Sequence, residues 1–239
     1  MQAVPNVVTL DLSEFPIERD EVDGYTVLKL PQNLRDVFDQ GGAHLVWIPS
    51  AELARNIPDF GGKTSGEQHS LCFHQDHINP EDPRQFLMLT KHGQSARGSS
   101  TLVILPEIAE RVLAVEEKHF NDAPSRTRMG RERSYDSRFL ISEEEYDRCF
   151  DEDGYEKVVT DLMARRGVRD ELCVRLGILG YLVRGPYADH LMEKTMEVIG
   201  DELFSTSWEE EGVLILHNPR LFHGRVGGNT TPLQRNFCI

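Results

Sequence analysis

The chain has 239 residues, of which 39% are hydrophobic and 28% charged, and its formal net charge is −14. That balance fits a globular domain in solution. It argues against a helical membrane protein, because no stretch approaches the roughly 18 apolar residues of a span, and against a nucleic-acid partner, because a negative field repels phosphates. The four cysteines, Cys72, Cys149, Cys173 and Cys238, are scattered without a Cys-x-x-Cys pair, which disfavours a disulfide framework or zinc knuckle and fits a reducing cytosol. Residues 1–16 carry no basic patch followed by an apolar run, so a cytoplasmic protein without a secretory leader is expected.

In chain order, Leu71-Cys72-Phe73 is an apolar entry to His74-Gln75-Asp76, and Ile78-Asn79-Pro80 reads as a loop exit. Residues 86–90 and 101–105 are short apolar runs, the first bounded by Pro83 and Gly93, the second by Gly98 and Pro106. Their length and punctuation predict buried strands. Pro106 suits the first turn of a helix, in which Ile108, Val112 and Val115 recur at helical spacing toward His119. From about residue 120 to 153 the chain turns polar. Arg126, Arg128, Arg131, Arg133 and Arg138 precede Glu143-Glu144-Glu145, and a polar lid or insertion is expected there. Residues 155–166 read as a helix with Val158, Val159, Leu162 and Met163 on its apolar side, and residues 172–183 as one or two strands. A further helix over 189–199 is closed by Gly200. Strands over 212–216 and 233–239 follow. No internal repeat or long linker interrupts the chain. The expectation is one domain over 1–239, mainly β with peripheral helices, around a double-stranded β-helix (jelly-roll) core.

The chemistry-bearing residues are few. Side chains two apart on an extended segment point the same way, so His74 and Asp76 can reach one metal ion from one strand. A distant second histidine, His223, completes the two-histidine, one-carboxylate set of a non-haem Fe(II) centre with open positions. His77 would face away from this pair. His217 ends an apolar strand, where a structural role is the better reading. Arg235 lies 12 residues beyond His223, a distance that lets the next strand return it to the metal, where a guanidinium grips a carboxylate with two parallel hydrogen bonds.

Two blocks then carry a resemblance. Phe73-His74-Gln75-Asp76, with Phe86-Leu87-Met88-Leu89 and Ala96-Arg97-Gly98-Ser99-Ser100-Thr101-Leu102 after it, resembles the iron-binding region of TauD-like Fe(II)/2-oxoglutarate dioxygenases. It is most similar to the clavaminate synthase-like branch, which includes amino-acid hydroxylases. The tail Asn218-Pro219-Arg220-Leu221-Phe222-His223-Gly224-Arg225, with Leu233-Gln234-Arg235 beyond it, resembles the ending of the same branch. The resemblance covers about a quarter of the chain, in ordered motifs. It implies that His74, Asp76 and His223 hold Fe(II), and that Arg235 binds the distal carboxylate of 2-oxoglutarate. It further implies that Thr101, 25 residues after Asp76, assists that carboxylate. Arg225 belongs to the motif without a defined task. Dioxygen is the remaining co-substrate, and a free or carrier-linked amino acid, or a small molecule derived from one, is the expected substrate. Halogenating members of the superfamily lack the carboxylate ligand, so Asp76 implies hydroxylation, with desaturation or cyclisation as variants of the same hydrogen abstraction. The branch often has Glu where this chain has Asp76.

Other readings remain at this level. An AlkB-like nucleic-acid demethylase also uses His-Gln-Asp, but its metal histidines are far closer than the 149 residues from His74 to His223. A zinc hydrolase leaves Arg235 and Thr101 unexplained. A metal-free jelly-roll binding protein would carry the same residues as remnants.

Overall fold

The computed structural model describes residues 4–22, 24–58, 69–76, 84–91, 100–122, 141–168, 170–208, 210–227 and 233–239. The expected arginine-rich stretch over 126–138 and His77 lie outside them. The chain opens with β1 (Val7–Thr9), β2 (Glu18–Val22), β3 (Tyr25–Lys29), α1 (Gln32–Asp39), β4 (Leu45–Ile48) and α2 (Ala51–Asn56). It continues with β5 (Leu71–His74), β6 (Phe86–Lys91), β7 (Ser100–Ile104) and α3 (Pro106–Asp122). Four further helices follow: α4 (Glu143–Arg148), α5 (Gly154–Arg166), α6 (Glu171–Leu182) and α7 (Pro186–Ile199). The last strands are β8 (Phe204–Thr206), β9 (Gly212–His217), β10 (Phe222–Val226) and β11 (Gln234–Cys238), with a 3-10 turn, Asn218–Arg220, between β9 and β10. No helix among the described residues is long and apolar enough to cross a membrane.

Two sheets form, one of seven strands in the order β1-β4-β9-β6-β11-β3-β2 and one of four in the order β5-β10-β7-β8. The central strands of the larger sheet read as unbroken apolar runs because both of their faces are covered. Val213 and Ile215 of β9 and Phe86 and Met88 of β6 pack with Leu34 and Phe38 of α1. The alternate residues Leu214, Leu216, Leu87 and Leu89 pack instead with Val103 of the smaller sheet and with Trp208. The second cluster therefore fills the space between the sheets. The outer face of the smaller sheet, with Leu102, Ile104 and Phe222, is covered by Ile108, Ala109 and Val112 of α3, Leu176 of α6 and Met192 of α7. Close packing here leaves no room at Gly224. A Cβ at that position would lie 2.9 Å from the Leu71 carbonyl oxygen and 3.3 Å from the Met192 methyl.

The expected strands over residues 172–183 are not formed; α6 occupies that stretch. A continuous apolar run has no periodicity to separate strand from buried helix, and its length of 12 residues favours the helix. Asp170 starts it, its side chain accepting the Cys173 amide. Most of the helix surface is apolar because it is buried on opposite sides, with Arg175 keeping a polar edge through ion pairs to Glu117, Glu156 and Glu171. Val174, Ile178, Leu179 and Leu182 face α5, while Cys173 and Leu176 face the sheet side. The described ends of the expected polar insertion also belong to the core: Phe120, Ile141 and Cys149 are buried with α5 and α6. Other expected elements form, with α7 beginning earlier, at Pro186.

Candidate metal centre

His74 is the last residue of β5, and His223 lies directly opposite it in the antiparallel β5–β10 ladder. Their rings are 4.4 Å apart between centroids. Asp76, two residues beyond His74, turns its carboxylate to both. His74 Nε2 is 3.9 Å from Oδ1, and His223 Nε2 is 3.5 Å from Oδ2. One ligand atom from each residue lies within 4.8 Å of the others. Two donors each about 2.1 Å from a common ion can be no more than about 4.2 Å apart. The two carboxylate–imidazole distances, to different oxygens of Asp76, fall inside that limit, and the full set, spread to 4.8 Å, would draw in by a few tenths of an ångström around an ion.

Protonation also suits a cation. His74 Nδ1 pairs with the Cys72 carbonyl at 2.9 Å, which makes Nδ1 the protonated nitrogen and turns the Nε2 lone pair toward Asp76. Burial, then the neighbouring His223, lowers the His74 pKa to about 3, so the ring is neutral. Burial alone would raise the Asp76 pKa. The Arg235 guanidinium, then His223 and His74, outweigh it and hold the carboxyl well below its usual range. Neutral imidazole and ionised carboxylate are the forms that coordinate metal.

Arg235, on β11 of the larger sheet, reaches across the inter-sheet space. Its Nη1 donates to Asp76 at 3.3 and 3.5 Å. Thr101, on β7, shares a sheet face with Val103 and stands opposite Arg225 in the ladder. The buried Trp208 indole donates to its hydroxyl at 2.7 Å. Trp208 has a φ of 52°, a backbone conformation that bulky side chains rarely adopt. An indole N–H can only donate. It therefore fixes Thr101 Oγ1 as the acceptor and leaves the hydroxyl hydrogen to be given elsewhere. Arg225 donates to the His69 carbonyl at 3.0 Å, and His69 itself pairs with Asp189 at 2.7 Å. His217 is turned away from this site by strand alternation; it stacks on Phe86, 5.1 Å between centroids, on the far side of its sheet.

The sequence motifs give no task to Asn218, Trp208 or Cys173. Asn218 was visible as the first residue of the tail motif. Cys173 and Trp208 reach their partners, Gln75 and Thr101, only through tertiary packing, and no local pattern announces either.

No protein-family model matches the chain, and no curated protein matches it significantly. Among solved structures, a Burkholderia xenovorans protein provisionally described as an alpha-ketoglutarate dependent 2,4-D dioxygenase aligns at 14% identity and a TM-score of 0.35, covering 92% of this chain and 96% of that one. PvcB from Pseudomonas aeruginosa aligns at 16% identity and 0.35, covering 97% and 94%. A second PvcB structure, described as an Fe, alpha-ketoglutarate dependent oxygenase from an isonitrile synthetic pathway, aligns at 15% identity, also at 0.35, over 97% and 94%. Those descriptions belong to those proteins.

Proposed function

We propose that this chain is an Fe(II)- and 2-oxoglutarate-dependent oxygenase of the TauD-like type, a single jelly-roll domain acting on a small molecule, an amino acid or a derivative of one. His74, Asp76 and His223 would hold the iron, and Arg235 and Thr101 the distal carboxylate of 2-oxoglutarate. The observation that carries this reading is the closure of the His74–Asp76 pair and the distant His223 to within 4.8 Å, with the Arg235 guanidinium 3.3 Å from the Asp76 carboxylate. A zinc site needs no such guanidinium, and a remnant site has no reason to keep its imidazole oriented by a carbonyl.

Bound there by His74, Asp76 and His223, iron would, with 2-oxoglutarate and dioxygen, supply an oxidant able to take hydrogen from an unactivated C–H bond. The chain's own part is placement. The Cys72 carbonyl aims His74, the Arg235 guanidinium, whose Nη1 rests on Asp76, would present its donors to a co-substrate carboxylate, and Trp208 turns the Thr101 hydroxyl hydrogen away from itself. Asp76 fills the place that a halide takes in halogenating relatives, which makes hydroxylation the proposed outcome.

The test is an anaerobic titration with Fe(II) and 2-oxoglutarate, following the visible metal-to-ligand charge-transfer band. The expected result is a band in the parent, lost in Asp76→Ala, with 2-oxoglutarate affinity reduced about 10- to 100-fold in Arg235→Ala, the worth of a charge-assisted hydrogen-bond pair. Folded protein that binds metal without the band would overturn the oxygenase reading in favour of a zinc enzyme. Folded protein that binds no metal would overturn it in favour of a binding protein.

A further inference from the structure

The two histidines of the candidate centre are held by a strand ladder, but Asp76 is not. Pairing between β5 and β10 begins at His74 opposite His223, and Asp76 lies beyond it. Its peptide is held instead by a side chain. The Asn218 Oδ1 accepts the Asp76 amide hydrogen at 3.3 Å, and the Asn218 Nδ2 donates to the Asp76 carbonyl. Only one orientation of the carboxamide satisfies both, since its oxygen must accept and its nitrogen must donate. Asn218 is 2% exposed. Its own amide donates to the Gln85 carbonyl at 3.0 Å, and its carbonyl accepts the Leu221 amide at 3.3 Å. The 3-10 turn is thereby anchored to the entry of β6 in the larger sheet. The intervening Gln75 is tied down as well, by the Pro219 carbonyl at 3.4 Å and the Cys173 thiol at 2.8 Å.

We propose that Asn218 is a positioning residue for Asp76. By imitating a strand partner it fixes the peptide, hence the Cα–Cβ direction, hence where the carboxylate points, without touching a metal itself. It also couples the ligands mechanically, because the turn that carries Asn218 leads within three residues into His223. A backbone clamp of this kind adds no charge to the centre; it removes the orientational freedom that a carboxylate at the end of a strand otherwise has. The proposal rests on the reading that His74, Asp76 and His223 bind a metal.

The test uses Co(II), whose ligand-field absorption reports coordination geometry, titrated into the whole chain carrying Asn218→Ala, Asn218→Asp, Asp76→Ala or Leu34→Ala. Leu34 is buried against the outer face of the larger sheet, so its truncation costs stability away from the site. Asn218→Ala is expected to weaken Co(II) binding roughly 10- to 100-fold, as for other residues that orient ligands, and to change the ligand-field spectrum. Leu34→Ala should lose comparable urea stability with affinity and spectrum unchanged. Asn218→Asp keeps the volume and the acceptor, lacks the donor and adds a negative charge that by itself would tighten cation binding. Weaker Co(II) binding in spite of that charge, with a changed spectrum, is the expected result, and it decides the matter if the alanine variant does not fold. Parent-like affinity and spectrum in the folded Asn218 variants would overturn the proposal while leaving the metal site standing, as would an equal loss in Leu34→Ala. A parent that does not bind Co(II), or binds it undiminished by Asp76→Ala, would overturn the metal site and the proposal together.

Discussion

Glu116 is fully buried on α3, with the Phe73 backbone amide favouring its ionised form. Burial raises its pKa from 4.5 to about 8, the Phe73 amide offsetting part of the rise. The folded chain thus holds a proton that the unfolded chain releases above pH 4.5. Stability is full below that value and falls as pH rises toward 8, by several kcal/mol in order of magnitude. Glu116→Gln is neutral at every pH. It should match the parent near pH 5 and exceed it in urea stability at pH 8 to 9; equal pH slopes in the two proteins would refute this. The local sequence Val115-Glu116-Glu117-Lys118 reads as a solvated face, yet Ile108, Val112, Glu116 and Phe120 form one stripe at intervals of four and are all buried. The metal-type residues were legible for the opposite reason. His74-x-Asp76 needs only the two-residue repeat of an extended chain to converge.

At the level of elements, α6 is the lesson. Its apolar run carried no period, and the signals that decide it are its length and the Asp170 cap. Asp170→Ala removes the side-chain acceptor of the Cys173 amide and should cost about 1 kcal/mol, or about 2–4 °C in melting temperature for a chain of this size, read by thermal denaturation. The helix also supports the candidate site: a Cβ at Gly180 would lie 3.6 Å from that of His74, so α6 runs in direct contact with the strand that carries His74. Strands β6, β7 and β9 were readable because short apolar runs end at glycine or proline. The alternation that puts Leu214 and Leu216 between the sheets, and Val213 and Ile215 outside them, was hidden by apolar residues at every position.

For the whole molecule, the placement of β11 matters most. This strand, near the chain's end, lies between β6 and β3 inside the seven-stranded sheet, pairing antiparallel with the first along its length and parallel with the second. The sheet therefore has a gap until residues 234–238 arrive, and the same strand delivers Arg235. Deleting residues 233–239 should abolish the cooperative urea transition rather than merely remove an edge, because two ladders and the inter-sheet contacts of Leu233 and Phe237 are lost together. A truncated chain that still unfolds cooperatively would contradict this.

The kinds of chemistry available to this protein were set by residue identity alone. Two imidazoles, one carboxylate and one guanidinium, in ordered motifs, are local facts, and so are the short strands that carry most of them. Tertiary structure decided which groups meet. It put His223 opposite His74, brought Arg235 across from another sheet, turned His217 away, and lent Asp76 the carboxamide of Asn218. Those contacts join residues more than a hundred positions apart, where no periodicity reaches and only the packing of one sheet on another sets the distance.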